Sequence, residues 1–107
     1  MPDELIIEPR KVHDMLQGSV KFLLLDCREA WEFQTARIEG ATLIPMREIP
    51  ERLNEIPKDQ AVVVYCHAGV RSFDVAVWLK KQDVNALSMS GGIDRWSMEI
   101  DPNVPRY

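Results

Sequence analysis

Cys66 is the side chain in this sequence best placed to act as a nucleophile. It directly follows an apolar, β-branched run at residues 62–65, which predicts a strand buried on both faces of a sheet. Residues 72–81 follow the next turn and predict an amphipathic helix. A cysteine at the carboxyl end of a buried parallel strand lies where open α/β sheets place their ligand sites. Backbone N–H groups and the helix dipole favour an anion there, so the pattern predicts a reactive thiolate.

The residues between this strand and this helix are typical of an anion-binding loop. The loop consists of Cys66, His67, Ala68, Gly69, Val70, Arg71 and Ser72. Gly69 permits backbone conformations that turn N–H groups inward, Arg71 adds a fixed positive charge, and Ser72 is suited to cap the helix. Two interpretations of His67 stay open: its side chain assists the site, or it points to solvent. A cysteine after a buried strand is usually only a small buried hydrophobe, and the loop is what makes Cys66 a catalytic candidate.

The rest of the chain alternates between predicted strands and predicted helices. Apolar runs predict further strands at residues 5–7, 22–26, 41–45 and 86–89. Helical spacing of apolar residues predicts helices at residues 9–17 and 46–55, with a closing helix after residue 91. This alternation predicts an α/β fold with a mainly parallel five-stranded sheet and helices on both faces.

Length and composition exclude several classes of protein. The 107 residues fit one domain over residues 1–107, and 46% hydrophobic with 28% charged residues is ordinary for a globular protein. The net charge of −4 argues against a nucleic-acid partner. We expect no membrane partner, because no apolar run approaches the roughly 20 residues that span a bilayer. The acidic N-terminus lacks the features of a signal peptide, which predicts a cytoplasmic protein.

The two cysteines, Cys27 and Cys66, make neither a disulfide framework nor a metal motif. Both follow predicted strands, so the fold could bring them together. The favoured interpretation of Cys27 is a small packed residue, and the alternative is that it resolves an oxidised Cys66 as a disulfide. No metal or organic cofactor is expected, because the sequence holds no ligand cluster and no glycine motif for phosphate.

Three segments of the chain resemble motifs of the rhodanese family of sulfurtransferases, and the resemblance covers essentially the whole chain. Residues 66–72 resemble the active-site loop of that family. Residues 26–41 resemble its Asp-x-Arg element, its acidic-aromatic turn and its Gly-His-Ile-x-Gly-Ala segment, with Ala36 and Arg37 in place of Gly and His. Residues 90–96 resemble its Gly-Gly-x-x-x-Trp turn. Asp26 and Arg28 are expected to brace neighbouring loops rather than to catalyse.

The resemblance implies a rhodanese-like fold and a sulfurtransferase that works in two steps. The Cys66 thiolate takes the outer sulfur of a donor such as thiosulfate, and sulfite leaves. The Cys66 persulfide then passes its sulfur to a thiophilic acceptor such as cyanide, a thiol or a sulfur-carrier protein. The N–H groups from His67 to Ser72 would stabilise the anionic persulfide. Arg71 would orient the dianionic donor by two parallel hydrogen bonds.

Two other functions remain as alternatives. Phosphatases and arsenate reductases of the same fold use a Cys-x5-Arg loop, whereas Cys66 and Arg71 here form the shorter Cys-x4-Arg, which favours sulfur transfer. A module for sulfur delivery or regulation would use Trp31 or Phe33 as part of a docking surface. The favoured interpretation of both aromatic side chains is that they anchor the core, because such rings bury a large area.

Overall fold

A parallel five-stranded sheet forms the centre of the computed structural model, which describes residues 3–107. The strands are β1 (Ile6–Ile7), β2 (Phe22–Asp26), β3 (Thr42–Leu43), β4 (Ala61–Tyr65) and β5 (Ala86–Met89), in the order β1-β5-β4-β2-β3. The helices are α1 (Pro9–Gln17), α2 (Ala30–Thr35), α3 (Val70–Lys81) and α4 (Gly92–Glu99). Residues 1 and 2 belong to the acidic N-terminus from which we predict that there is no signal peptide, and they lie outside the described range. None of the helices within that range has the length and apolar character needed to cross a membrane.

Strand β4 is buried on both faces, as its β-branched run predicts. Val62 and Val64 pack on one side of the sheet with Leu79 of α3. Val63 packs on the other side in the same cluster as Trp96 of α4. Since successive side chains of a strand point to opposite faces, each face needs its own covering layer. The prediction of a parallel sheet with helices on both faces is confirmed.

The segment from Met46 to Glu55 is not the regular helix that its apolar spacing predicts. It forms two short 3₁₀ segments, Met46–Glu48 and Pro50–Glu55, and Arg52 has non-helical backbone angles. Pro50 is responsible, because it has no N–H to donate and its ring crowds the preceding turn of an α-helix. The spacing nevertheless serves packing, since Ile49 is fully buried against the β4 face that α3 covers.

The start of α4 fixes the loop that follows β4. The N–H of Ile93 donates to the carbonyl oxygen of Cys66 at 2.9 Å, and the N–H of Asp94 donates to that of His67 at 3.0 Å. Gly92 lies at the closest approach and has a positive φ of 60°. A Cβ at Gly92 would lie 2.5 Å from each of these two carbonyl oxygens. Only glycine therefore allows α4 to dock on the loop.

We expect Gly92→Ala to lower the free energy of unfolding by about 3 kcal/mol, because it adds a backbone clash to the strain of a left-handed residue. Gly40→Ala is the matched control, since Gly40 also has a positive φ, of 89°, but a Cβ there meets nothing within 4 Å. This control should lose only about 1 kcal/mol. Urea unfolding of the two variants measures the difference, and equal losses would show that the close approach is not the constraint.

Candidate active site

The sulfur of Cys66 lies at the carboxyl end of β4, inside the loop that precedes α3. Sγ accepts hydrogen bonds from the N–H groups of Gly69 at 3.2 Å and Ser72 at 3.3 Å. It also lies 3.4 Å from Oγ of Ser72. Cys66 is only 1% exposed. The donors that surround Sγ are suited to hold a charged sulfur, because N–H and O–H groups stabilise an anion in a site that excludes water.

Helix α3 begins at Val70, two residues before the predicted start. Gly69 takes the N-cap position with a φ of 98°, so the conformational freedom predicted for this glycine is used. Ser72 therefore lies in the first turn of α3, and the prediction that it caps the helix is wrong. Its buried hydroxyl makes a 2.8 Å hydrogen bond with the hydroxyl of Ser88 on β5. Ser72 thus links the sulfur of Cys66 to the neighbouring strand.

Cys27 lies beside Cys66 because β2 and β4 are in register. Asp26 pairs with Tyr65 across the two strands, and each cysteine is the next residue of its chain segment. The N–H of Cys27 continues the ladder by donating to the carbonyl oxygen of Tyr65 at 3.1 Å. Both cysteines are buried free thiols. The predicted burial of Cys27 is confirmed, and its role as a resolving thiol stays a prediction.

The environment of Cys66 lowers its pKa to about 5. The largest cause is the neighbouring thiol of Cys27; burial opposes it, and the hydroxyl and N–H of Ser72 and the N–H of Gly69 add to it. The same contact and burial raise the pKa of Cys27 well above its usual range. At neutral pH the pair therefore consists of a Cys66 thiolate and a Cys27 thiol.

We expect Cys27→Ala to raise the pKa of Cys66 by about one to two pH units, because it removes the neighbouring S–H group that favours the charged form of Cys66. The rate of alkylation of Cys66 by iodoacetamide, followed against pH, measures this value, and peptide mass analysis confirms which thiol reacts. The midpoint for the unaltered protein should lie near pH 5. Cys27→Ser is the control, since its hydroxyl keeps a donor and should hold the midpoint below that of the alanine variant. Identical midpoints in all three proteins would rule out the thiol contact.

The guanidinium of Arg71 is paired with the carboxylate of Glu32. Nη1 donates to Oε2 at 2.8 Å and Nη2 donates to Oε1 at 2.9 Å. The side chain of Glu32 is 5% exposed and that of Arg71 is 36% exposed. The two parallel bonds that the sequence predicts from Arg71 to a donor are made in this structure to Glu32. These bonds are the main reason why the pKa of Glu32 falls to about 2.

Glu32 is held by two further donors. The N–H of Glu29 donates to Oε2 at 2.9 Å, which forms one half of the capping box at the start of α2. The hydroxyl of Tyr107 donates to Oε1 at 2.8 Å. Tyr107 in turn accepts a hydrogen bond of 2.8 Å from Nη1 of Arg28. The phenol therefore connects the Glu32–Arg71 pair to a second ion pair below it.

Arg28 and Asp26 form this second ion pair, and both side chains are fully buried. Nε and Nη2 of Arg28 donate to the two carboxylate oxygens at 2.9 and 2.6 Å. Nη2 also donates to the carbonyl oxygen of Ala36 at 2.6 Å. The pair thus ties the end of β2 to the segment after α2, and the predicted bracing role is confirmed.

The aromatic side chains near the loop differ from the prediction. Trp31 was expected in the core but is 61% exposed, because the inward side of the short helix α2 is occupied by Glu32 and Ala36. Its ring lies edge-on to that of Tyr107, with centroids 5.9 Å apart. Phe33 is half-buried beneath the guanidinium of Arg37.

His67 is half-buried in the structure, and its ring packs against Tyr107 with centroids 4.4 Å apart. The ring thus contacts Tyr107 on one side, and the role of His67 in the site stays a prediction. His67, Tyr107 and Trp31 form an aromatic rim on one side of the loop. Sequence reasoning missed the parts of Glu32 and Tyr107 in this site. The Glu-x-x-Glu spacing of residues 29 and 32 signals a capping box, but nothing in the sequence pattern points to Tyr107.

No group of His, Cys, Asp and Glu side chains within residues 3–107 is arranged to hold a metal ion. The described residues place a stabilised thiolate at the edge of a parallel sheet, with backbone donors around it and two ion pairs nearby, of which Arg28–Asp26 is fully buried and Arg71–Glu32 is partly exposed.

Residues 8–99 match the family described as the Rhodanese-like domain. A sulfurtransferase of Allochromatium vinosum is 36% identical over 92 residues, which cover 85% of this chain and 86% of that protein. A rhodanese-like domain protein from Staphylococcus aureus, solved by crystallography, superposes with a TM-score of 0.83 at 28% identity, covering 95% of this chain and 97% of that chain. The chain therefore belongs to the rhodanese-like family, as its three motifs predict.

One similar protein is much longer. The "Probable adenylyltransferase/sulfurtransferase MoeZ" of Mycobacterium tuberculosis is 36% identical over 104 residues, which are 94% of this chain but 26% of that protein. The chain thus spans about a quarter of the length of this relative. The Allochromatium vinosum and Mycobacterium tuberculosis relatives are both described as sulfurtransferases.

Proposed function

We propose that this protein transfers sulfane sulfur through a persulfide on Cys66. The observation that supports the proposal best is the thiolate itself, which has a pKa near 5 and accepts two backbone hydrogen bonds at the carboxyl edge of the sheet. The proposed donor is a sulfane compound such as thiosulfate, and the proposed acceptor is cyanide, a thiol or a sulfur-carrier protein. We also propose that the protein is cytoplasmic and that residues 1–107 form one domain.

In the first proposed step the Cys66 thiolate attacks the outer sulfur of thiosulfate. The S–S bond of thiosulfate breaks, and sulfite leaves with the bonding electron pair, so no proton has to move. The N–H groups from His67 to Ser72 surround the new terminal sulfur, which is anionic near neutral pH. Preformed backbone donors favour this charge because they need no reorganisation when it appears.

In the second proposed step the acceptor attacks the terminal sulfur, and Cys66 leaves as a thiolate. A thiol of low pKa is a good leaving group in such exchanges. The hydrogen bonds from Gly69 and Ser72 and the neighbouring thiol of Cys27 lower the pKa of Cys66. They therefore assist both steps, because they stabilise the thiolate as a nucleophile in the first step and as a leaving group in the second.

Phosphoryl or arsenate chemistry is less well supported. It would need the arginine of the loop to hold a tetrahedral oxyanion, and both terminal nitrogens of Arg71 already donate to Glu32. Delivery of sulfur to a protein acceptor is favoured by one observation, the exposure of Trp31 beside the loop. Chemical shifts of Trp31 that stay constant when a sulfur-carrier protein is added in excess would argue against docking at this residue.

We expect the intact protein to gain the mass of one sulfur atom after incubation with thiosulfate. Cyanide should remove this mass, and Cys66→Ala should never acquire it, because covalent catalysis requires the thiol. The loading rate should rise with pH up to about 5 to 6 and then level off, since the pKa of Cys66 is lowered to about 5 and only the thiolate attacks.

Cys27→Ala is the matched control for this measurement, because it removes the neighbouring thiol and keeps the proposed carrier. It should still gain one sulfur atom. A gain that persists in Cys66→Ala, or no gain with thiosulfate, mercaptopyruvate or a cysteine desulfurase, would refute the persulfide mechanism.

A further inference from the structure

The ion pair between Glu32 and Arg71 sets the electric charge beside the Cys66 loop. Arg71 brings a positive charge to the loop, and the carboxylate of Glu32 cancels it through two short hydrogen bonds. We propose that Glu32 is a specificity-determining residue, which makes the loop selective for neutral or singly charged sulfur donors over the dianion thiosulfate. This inference rests on the proposed function, and it names the class of donor that the same site prefers.

The pairing of Arg71 is built into the fold rather than left to a mobile surface contact. Glu32 is almost fully buried and accepts hydrogen bonds from the N–H of Glu29 and the hydroxyl of Tyr107 in addition to Arg71. Tyr107 is itself held by the buried guanidinium of Arg28. Turning Arg71 towards a donor would leave a buried carboxylate without its cation, which is costly. The positive charge of Arg71 is therefore not free for a substrate.

Three other arginines near this network are also paired with carboxylates. The pairs are Arg28 with Asp26, Arg47 with Glu29, and Arg106 with Asp94. Asp94 lies next to the loop, since its N–H donates to the carbonyl oxygen of His67. Among these described pairs, none offers the loop an uncompensated positive charge.

A donor must approach a Cys66 thiolate that is already negative. The attraction available to it comes from backbone N–H groups and from the N-terminal end of the α3 dipole, about half a unit charge. Coulomb repulsion grows with the charge of the donor, so a dianion meets about twice the repulsion that a monoanion meets at the same distance. Persulfides and thiosulfonates of low charge are the donors that suit such a site.

Methanethiosulfonate and thiosulfate provide a matched pair of probes. In both, the Cys66 thiolate attacks an outer sulfur and one S–S bond breaks. Methanesulfinate leaves the first and sulfite leaves the second, in each case with the bonding electron pair and without an oxidant or a proton. The products in both reactions are the same Cys66 persulfide and one oxyanion. The two donors differ by one unit of charge, which is the property under test.

The test is a charge series at residues 32 and 71, with cyanide as acceptor at neutral pH and low ionic strength. The quantity measured is the kcat/KM for methanethiosulfonate divided by that for thiosulfate. Glu32→Gln releases the charge of Arg71 and should lower this ratio about tenfold. Arg71→Gln leaves the carboxylate uncompensated and should raise the ratio, and the double variant should return close to the unaltered protein. Added salt should shrink these differences, because it screens partly exposed charges.

Glu55→Gln is the control for net charge. Glu55 forms an equivalent two-bond pair with Arg52 outside the network, so this variant changes the total charge by the same amount. It should leave the ratio unchanged. Circular dichroism shows whether each variant is folded. If Glu32→Gln does not fold, the donor ratio of Arg71→Gln alone tests the inference.

A ratio that does not change in Glu32→Gln or in Arg71→Gln overturns the inference, as does an equal loss of both activities in Glu32→Gln, which a merely structural role predicts. The failure of the proposed function has a different signature. In that case neither donor forms a persulfide on the unaltered protein, and the ratio cannot be measured in any member of the series.

Discussion

The parallel register of β2 and β4 is the constraint on which the site depends. Because Asp26 pairs with Tyr65, the two strands end side by side and release their next residues at one edge of the sheet. Cys27 comes to lie beside Cys66, and the chain turns there into α2 and α3. A shift of one residue in this register would move the cysteines apart and exchange the faces of every side chain along the strand. The pairing of the two strands therefore determines which groups surround the thiolate.

The site stabilises negative charge mainly through dipoles. The sulfur of Cys66 lies among N–H and O–H groups of Gly69 and Ser72, while Arg71, the arginine of the same loop, is paired with the carboxylate of Glu32. Dipoles that are fixed by the fold lower the pKa of a thiol without giving the site a net charge. This explains how the loop can hold a reactive thiolate although the positive charge of its arginine is compensated by Glu32.

Local patterns in the sequence predicted most of the fold and the position of Cys66 at the end of β4. The apolar run at residues 62–65 predicts a buried strand, and Gly69 predicts a tight loop; both signals depend only on adjacent residues. The structure has the strand, and it has Gly69 with a positive φ. The apolar spacing of residues 46–55 correctly predicted a buried side, but the segment is not an α-helix. Pro50 removes a backbone hydrogen bond of the α-helix and leaves the spacing of the apolar residues unchanged. The prediction that Trp31 lies in the core was wrong. The inward side of α2 is occupied by the carboxylate of Glu32, and the spacing of apolar residues does not indicate a buried carboxylate.

The contacts that complete the site could not be predicted from the sequence. Glu32 and Arg71 are 39 residues apart, and Arg28 and Tyr107 are 79 apart. No periodicity connects such positions, and many other arginines and carboxylates in the chain offer equivalent charges. Only the three-dimensional arrangement of α2, the loop and the last residues shows which of these charges meet.

The hydrogen bonds to the sulfur of Cys66 come from the backbone of the loop, so they do not depend on which side chains its outward residues carry. Gly69 and Ser72 donate through their main-chain N–H groups, whereas the side chains of Ala68 and Val70, on either side of Gly69, are exposed to solvent. Replacing these two outward side chains would change the surface of the loop and leave both backbone donors to the sulfur in place. The loop therefore divides its tasks: its backbone shape holds the reactive sulfur, and its outward side chains can be changed without altering that shape.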